Sequence, residues 1–257
     1  MNPLSDFHAK GMPLPHVRRI ATDRPLHWLR AGWQDLKANP LPSLAYGLLF
    51  ALCGDLIILA LLQSPHLLTV SISGFFLVAP LLAAGLYELS RRNEAGEKIL
   101  FIDSLRCFGR HGQSLAFFGL ILALITLLWE RFSAIAFALV GATSAPIASA
   151  YLNEILFDGQ HLAFTATWFV LGAVLALFVY ALTVVSIPLI LDRDADVATA
   201  MMTSLRAFAR NTGPLLLWAA LLVSLTLLGF ATLLFGLVLI MPILGHASWH
   251  AYRELVE

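Results

Sequence analysis

Charge is scarce in this chain. Asp, Glu, Lys and Arg make up 12% of its 257 residues, about half the share usual in soluble domains. Pro42–Tyr87 holds a single such residue, Asp55, and Gly159–Leu191 and Asn211–Tyr252 hold none. Runs this long and apolar exclude an ordinary soluble domain. Acidic and basic residues balance at 16 each, leaving no basic surplus for nucleic acid. There are two cysteines. Cys53 lies in an apolar run and Cys107 in a charged segment, which supports neither a disulfide nor a thiolate metal cluster. Met1–Val17 carries Pro3, Pro13 and Pro15 and no apolar h-region, so it does not read as a signal peptide, and the tail 1–16 is expected to be disordered. No phosphate-binding glycine loop, nucleophile elbow, zinc-protease helix or haem-attachment motif occurs.

What the chain has is apolar length. A helix rises about 1.5 Å per residue and the hydrocarbon core is about 30 Å thick, so roughly 20 apolar residues make one crossing. The 42 residues of Asn211–Tyr252 suit two. The pattern predicts six spans: Leu41–Leu62, Leu68–Leu89, Gln113–Trp129, Leu162–Leu191, Pro214–Gly229 and Thr232–Trp249. The basic residues fall on one side of that arrangement. Lys10, Arg18, Arg19, Arg24, Arg30 and Lys37 precede span one. Arg91, Arg92, Lys98, Arg106 and Arg110 separate spans two and three. Arg193, Arg206 and Arg210 separate four and five, Arg253 follows six, and Arg131 alone lies opposite. The positive-inside rule then puts both termini in the cytoplasm. Phe132–Asn153, broken by Gly141 and Pro146, reads either as a re-entrant or surface helix or as a tilted continuation of span three. Pro146 and the Glu130-Arg131 pair favour the former.

Grouping spans in pairs exposes a repeat. A short segment with one apolar face precedes each odd span: Leu29, Trp33 and Leu36; Phe101, Leu105 and Phe108; Val197, Met201, Leu205 and Phe208. Ser104-Leu105-Arg106, Phe108 and Arg110 recur as Ser204-Leu205-Arg206, Phe208 and Arg210. Each even span carries a proline followed by two aliphatics, at Pro80, Pro188 and Pro242. The fold class expected is an all-α membrane protein, one domain over 17–257. Its six transmembrane helices form three pseudo-repeats of interfacial amphipathic helix plus transmembrane hairpin, about 26–92, 98–191 and 194–253.

Two groups of side chains have chemical potential. Asp55, near the middle of span one, costs about 2.5–3.5 kcal/mol if ionised at that depth. It reads as a proton or cation site, or as a protonated, bonded or wetted residue, with Arg131 beside Glu130 as its candidate partner. An inner-interface cluster comprises Glu88, Asp192, Arg193, His246, His250, Tyr252 and Arg253. His246 and His250, four apart, share a helix face, as two metal ligands would. A third ligand would have to come from Glu88, Asp192, Asp194 or His27. The competing reading, which we prefer, is an interfacial belt of amphipathic rings with Trp249. On that reading there is no metal site and no cofactor, and a transition metal or haem at His246/His250 is the alternative. Asp192, Asp194 and Asp196 lack the glycine and distal glutamate of a calcium loop, and suit a helix N-terminus.

Trp28-Leu29, Gly32-Trp33, Asp35-Leu36, Ser43-Leu44-Ala45-Tyr46-Gly47, Gly74-Phe75, Pro80, Gly85-Leu86-Tyr87-Glu88, Ser90-Arg91-Arg92, Leu191-Asp192-Arg193 and Gly245-His246-Ala247, Trp249-His250-Ala251-Tyr252-Arg253 together carry a resemblance. From about Val17 to Val256 the chain resembles an uncharacterised bacterial integral-membrane family, domain of unknown function 2189. The resemblance implies a multi-pass inner-membrane protein and no activity. Some members bear names linking them to respiratory oxidase subunits. This chain lacks the histidines spread over several spans that an oxidase core needs, so such a link would be as an accessory. The expected function is a non-enzymatic accessory or scaffold protein binding lipid, a membrane-protein partner or a second copy, and no nucleic acid. Gly47, Gly54, Gly74 and Gly85 would permit close helix contact. The alternative is a small transporter or channel using Asp55.

Overall fold

The computed structural model describes residues 14–63, 82–98, 100–140 and 162–257. Within them the chain forms α1 (Arg24–Ala38), α2 (Pro40–Gln63), α3 (82–94), α4 (Phe101–Ser104), α5 (Cys107–Val140), α6 (Leu162–Thr183), α7 (Ser186–Arg193), α8 (Val197–Arg210), α9 (Thr212–Ala231) and α10 (Leu237–Leu255). Among the described residues, four stretches are long and apolar enough to cross a membrane: Pro40–Ile57, Cys107–Ala136, Leu162–Arg193 and Thr212–Ala231. The first part of expected span two, with Gly74 and Pro80, lies outside the described residues, as do 1–13 of the N-terminal tail. His16, expected in that tail, is held: its carbonyl accepts the Glu257 N–H at 2.9 Å.

The two chain ends meet. Val17 and Val256 form an isolated antiparallel bridge, Arg18 N–H donates to the Leu255 carbonyl, and Asn211, at the start of α9, bonds the backbone of Ile20 and Arg18. This strap and the helix ends around it belong to the principal core, which runs from Val17 to Val256 through Trp28, Trp218, Trp249 and Tyr252.

Helix α10 is the centre of the packing, lying along α1 and α2. Pro242 explains how α2 approaches it. Proline has no N–H, so the Val238 carbonyl one turn earlier has no helical donor. The backbone of Gly47 fills that place: a Cβ there would stand 1.9 Å from the Val238 oxygen and 2.9 Å from the Pro242 ring. Gly32 brings α1 nearly as close, since a Cβ would lie 2.5 Å from the Ile243 oxygen. The break before Pro188 is built differently. Ser204 of α8 inserts its hydroxyl into the helical ladder, donating to the Ala181 carbonyl at 2.7 Å and accepting from Val185 N–H at 3.4 Å. The interruption between α6 and α7 is therefore a side chain placed in an i→i−4 bond, one of the known causes of a kink.

Three expectations change. Phe132–Val140 continues α5 without a break, making a helix of 34 residues, about 51 Å long. The surface-helix reading is thus wrong for that part, because no helix breaker precedes Gly141; 141–153 lie outside the described residues. The second amphipathic segment is one turn only. It bends at Leu105–Arg106, where Arg106 and Phe108 N–H reach back three residues to Asp103 and Leu105, so Phe108 and Arg110 already belong to α5. The inward faces of α1 and α8 are centred to one side of the apolar stripes. Leu36 and Val197 of those stripes are buried, and Leu29, Met201 and Phe208 pack at the edge of the core, but Trp33 is exposed. The other buried residues are Pro25, Trp28, Gly32 and Asp35 on α1 and Ala200, Thr203, Ser204 and Ala207 on α8. Small residues at the centre of the face let the helices approach.

Candidate functional site

Asp35 is buried on α1, and a carboxylate in that position needs donors from other elements. It has three. Ser90 Oγ donates to Oδ2 at 2.6 Å, Asn93 Nδ2 to Oδ1 at 2.6 Å, and His250 Nε2 lies 2.9 Å from Oδ2. Burial alone would raise this carboxyl. The bonds from His250 and Ser90 outweigh it and hold the group below its ordinary value. Ser90 is itself 2.7 Å from His246 Nδ1, and His246 Nε2 is 2.9 Å from Ser43 Oγ on α2. Ser43 donates onward to the Asn39 carbonyl at 2.7 Å. One polar chain thus joins α1, α2, α3 and α10. Its central members are out of contact with solvent: Ser43 and Ser90 are 0% exposed and His246 1%.

The inner-interface residues do not form one cluster. His246 and His250 share a face of α10 and point toward Asp35 and Ser90. Tyr252 and Arg253 turn to Asp192, whose Oδ2 accepts the Tyr252 hydroxyl at 2.7 Å and lies 3.4 Å from an Arg253 Nη1. Burial, reinforced by the Asp192 carboxylate, pushes the Tyr252 phenol above its ordinary range. Arg193 Nη1 donates to the Glu257 carbonyl. Glu88 is held by Arg91 at 2.7 Å and Arg92 at 2.9 Å. Glu94 bridges the groups, 3.2 Å from Arg253 Nε and 3.8 Å from His250 Nδ1. The belt reading is corrected for most of these rings. His246, Trp249 and Tyr252 are buried among protein atoms, whereas a belt would set them against lipid headgroups. Among the described residues no three His, Cys, Asp or Glu side chains are placed to share a metal ion. His27 stands apart, beside Asp23. Asp194 adopts φ 53° as the left-handed cap of α7 and bonds His111 Nε2 at 2.6 Å. Asp196 caps α8 through Thr199 N–H at 2.9 Å.

Asp55 sits elsewhere. Neighbouring Gly54 faces Leu234, whose Cδ1 would lie 3.1 Å from an added Cβ, so this part of α2 is level with the turn joining α9 to α10. That moves Asp55 from mid-span toward the far end of the bundle. It lines a lateral recess of about 600 Å³ with Phe50, Phe230, Leu234, Leu237 and Met241. Arg131 is not its partner; Arg131 Nε lies 3.1 Å from Glu130 Oε2 on the same helix.

Asp35, Ser43, Ser90 and Asn93 were not singled out as site residues by sequence. A signal existed for one: Trp28, Gly32, Asp35 and Asn39 recur at helical spacing, which marks a second, inward face containing an acid.

Long apolar helices in one bundle, with the charged chain ends gathered together, define an integral membrane protein of the α-helical class. The comparison with known families agrees. Residues 67–192 match the family described as predicted integral membrane protein (DUF2189), the family that the sequence resembles. The match covers about half of the stretch over which the sequence resemblance was drawn. No curated protein and no solved structure matches the chain.

Proposed function

We propose that this is a six-span protein of the bacterial cytoplasmic membrane, with both termini inside, acting as a non-enzymatic accessory or scaffold that holds lipid or a membrane partner. The six spans are α2, α3 with the residues before it, α5, α6–α7, α9 and α10, and the basic residues at their charged ends set the orientation. In the threefold plan, two of the short interfacial segments pack on an even span of another unit: α1 on α10 through Gly32, and α8 on α6 through Ser204. Helix α4 meets the first unit at Tyr46 of α2, through Phe101 and Ser104, and Phe101 packs on the cluster that also holds Leu86 and Leu89 of α3.

The observation that carries the scaffold reading is the pairing of α5 with α6. They meet through stacked Trp129 and Trp168, ring centroids 5.8 Å apart, and through Trp168 Nε1 donating to Ser133 Oγ. Bulky rings hold the helices apart, leaving an apolar groove on either side. One, about 470 Å³, is lined by Leu122, Thr126, Leu175, Ala176 and Val179; the other, about 590 Å³, by Leu128, Phe132, Ala136, Leu171 and Phe178. Grooves of this shape suit an acyl chain or a partner helix. The test is isolation in native lipid followed by mass spectrometry. A lipid species or membrane protein retained by the wild type should be lost from Ala176→Trp, which fills the first groove. A monodisperse particle with bulk lipid and no partner, under several growth conditions, contradicts the reading.

The Asp55 recess favours a second reading, a small transporter or channel. Proteoliposome flux that disappears in a folded Asp55→Asn variant would place it first.

A further inference from the structure

Four hydrogen bonds run in series from α2 to α1: Asn39 carbonyl to Ser43 Oγ at 2.7 Å, Ser43 Oγ to His246 Nε2 at 2.9 Å, His246 Nδ1 to Ser90 Oγ at 2.7 Å, and Ser90 Oγ to Asp35 Oδ2 at 2.6 Å. Each bond requires one hydrogen. The carbonyl and the ionised carboxylate at the two ends only accept. Each hydroxyl brings one hydrogen, and a neutral imidazole brings one more. Three hydrogens cannot fill four bonds. If Ser43 gives its hydrogen to Asn39, it must receive one from Nε2. If Ser90 gives its hydrogen to Asp35, it must receive one from Nδ1. A ring protonated on both nitrogens gives every bond its own hydrogen. With a neutral ring one hydrogen must be shared, as that of Ser43 would be between Nε2 and the Asn39 carbonyl, which also takes the Ser43 N–H at 3.3 Å.

We propose that His246 is a buried proton-binding site, whose second ring proton closes the hydrogen-bonded chain joining α1, α2, α3 and α10, with Asp35 as counter-charge through Ser90. The step moves one proton from solvent to the ring. His250 gives its Nε2 proton to Asp35 and regains one from solvent, Asp35 passes a proton to Ser90, and Ser90 passes its own to His246 Nδ1. N–H and O–H bonds exchange in turn, and each relay group ends as it began. The route is His250. It is partly exposed, at 22% of its side chain, and its Nε2 reaches the same Asp35 oxygen. The charged and titratable groups facing the site are Asp35 from α1, His250 and beyond it Arg253 from α10, and Glu94 from α3 beside His250; α2 brings the Ser43 hydroxyl. Through Ser90 the ionised Asp35 faces the ring, so the protonated ring and the carboxylate together carry no net charge. The site goes beyond the scaffold reading and does not depend on it.

The experiment is nitrogen NMR of ¹⁵N-histidine-labelled protein in lipid nanodiscs, with the His246 signals assigned by their loss in His246→Gln. The expected result is one added ring proton on His246 as the pH falls from neutral. In Ser90→Ala the midpoint should fall by about one pH unit or more, because the link to Asp35 is cut, while Ser90→Thr keeps the hydroxyl and the wild-type midpoint. A purely packing role for Ser90 would lower stability without moving the His246 midpoint relative to His250. Should Ser90→Ala not fold, Asp35→Asn gives the same expected fall. A His246 ring that stays singly protonated in the wild type down to pH 4 overturns the proposal, and so does a midpoint unmoved by Ser90→Ala.

Discussion

Replacing Asp35 by alanine removes the acceptor on which three helices converge. Ser90, Asn93 and His250 each lose a bond to a carboxylate, and hydrogen bonds to charged groups contribute roughly 1.5–3 kcal/mol apiece. The losses do not simply add. Asn93 and His250 are partly exposed and can turn to water. Ser90 is fully buried and cannot, and the His246 ring behind it loses its counter-charge. Removing one partner of a buried, bonded charge typically costs about 3–5 kcal/mol, and that range is expected for Asp35→Ala. Asp35→Asn keeps the shape and one acceptor, so about half of that loss is expected. The assay is reversible denaturation in bicelles or nanodiscs, followed by tryptophan fluorescence, since Trp28 on the same helix and Trp218 beside it (ring centroids 5.6 Å apart) report this core. A loss under about 1 kcal/mol for Asp35→Ala would show that the polar chain does not hold the helices together, and the reasoning from bond geometry would fail.

Further outcomes can be checked in the same assay. Gly47→Val should cost at least about 3 kcal/mol or prevent folding, because its Cβ would meet the Val238 oxygen at 1.9 Å; Gly109→Ala on α5, with nothing within 4 Å, should instead be neutral or stabilising by up to about 1 kcal/mol. Ser204→Ala should cost about 1–3 kcal/mol, since it empties the bond inserted between Val185 N–H and the Ala181 carbonyl; a variant as stable as the wild type would mean that α6 and α7 close into one straight helix. Asp196→Ala should cost about 0.5–2 kcal/mol through loss of the α8 cap. The Thr199 hydroxyl and N–H hold the Asp196 carboxyl below its ordinary value, so its contribution is complete above about pH 3.9 and is lost as pH falls through the lower folded value. A pH-independent difference between wild type and Asp196→Ala would contradict that assignment.

How much of this was legible in the sequence depended on which force set each feature. Apolar length placed α2, α6–α7 and α9 within a few residues, because the solvent for those helices is the bilayer and its thickness fixes their scale. Helix α5 runs eleven residues past the expected Trp129, to Val140, and α10 starts at Leu237, five residues after the expected Thr232. The acidic turn before α8 was legible as a helix start for the same local reason: capping chemistry is written in adjacent residues. The inward faces were not. The hydrophobic pattern of α1 pointed to Leu29, Trp33 and Leu36; Leu36 is buried, but Trp33 is exposed and the buried face also carries Gly32 and Asp35. In a membrane the outer surface is apolar too, so hydrophobicity no longer separates inside from outside. The site was half legible. His246 and His250 drew notice by their spacing on one helix, whereas Ser43, Ser90 and Asp35 come from three other elements and are joined to them only by tertiary packing. The ladder insertion by Ser204 was hidden too, since its partner lies 23 residues away.

The central claim is that the polar chain and both chain ends lie on the inner side of the membrane and the α9–α10 turn on the outer side. In a background with Cys53 and Cys107 replaced by alanine, single cysteines at Lys98, exposed after α3, and at Leu233, 80% exposed in that turn, can be treated with a membrane-impermeant thiol reagent in intact cells. The account predicts labelling at position 233 in intact cells and at position 98 only after the membrane is opened. Labelling of position 98 in intact cells, or equal labelling of both, would contradict the orientation and the six-span arrangement with it.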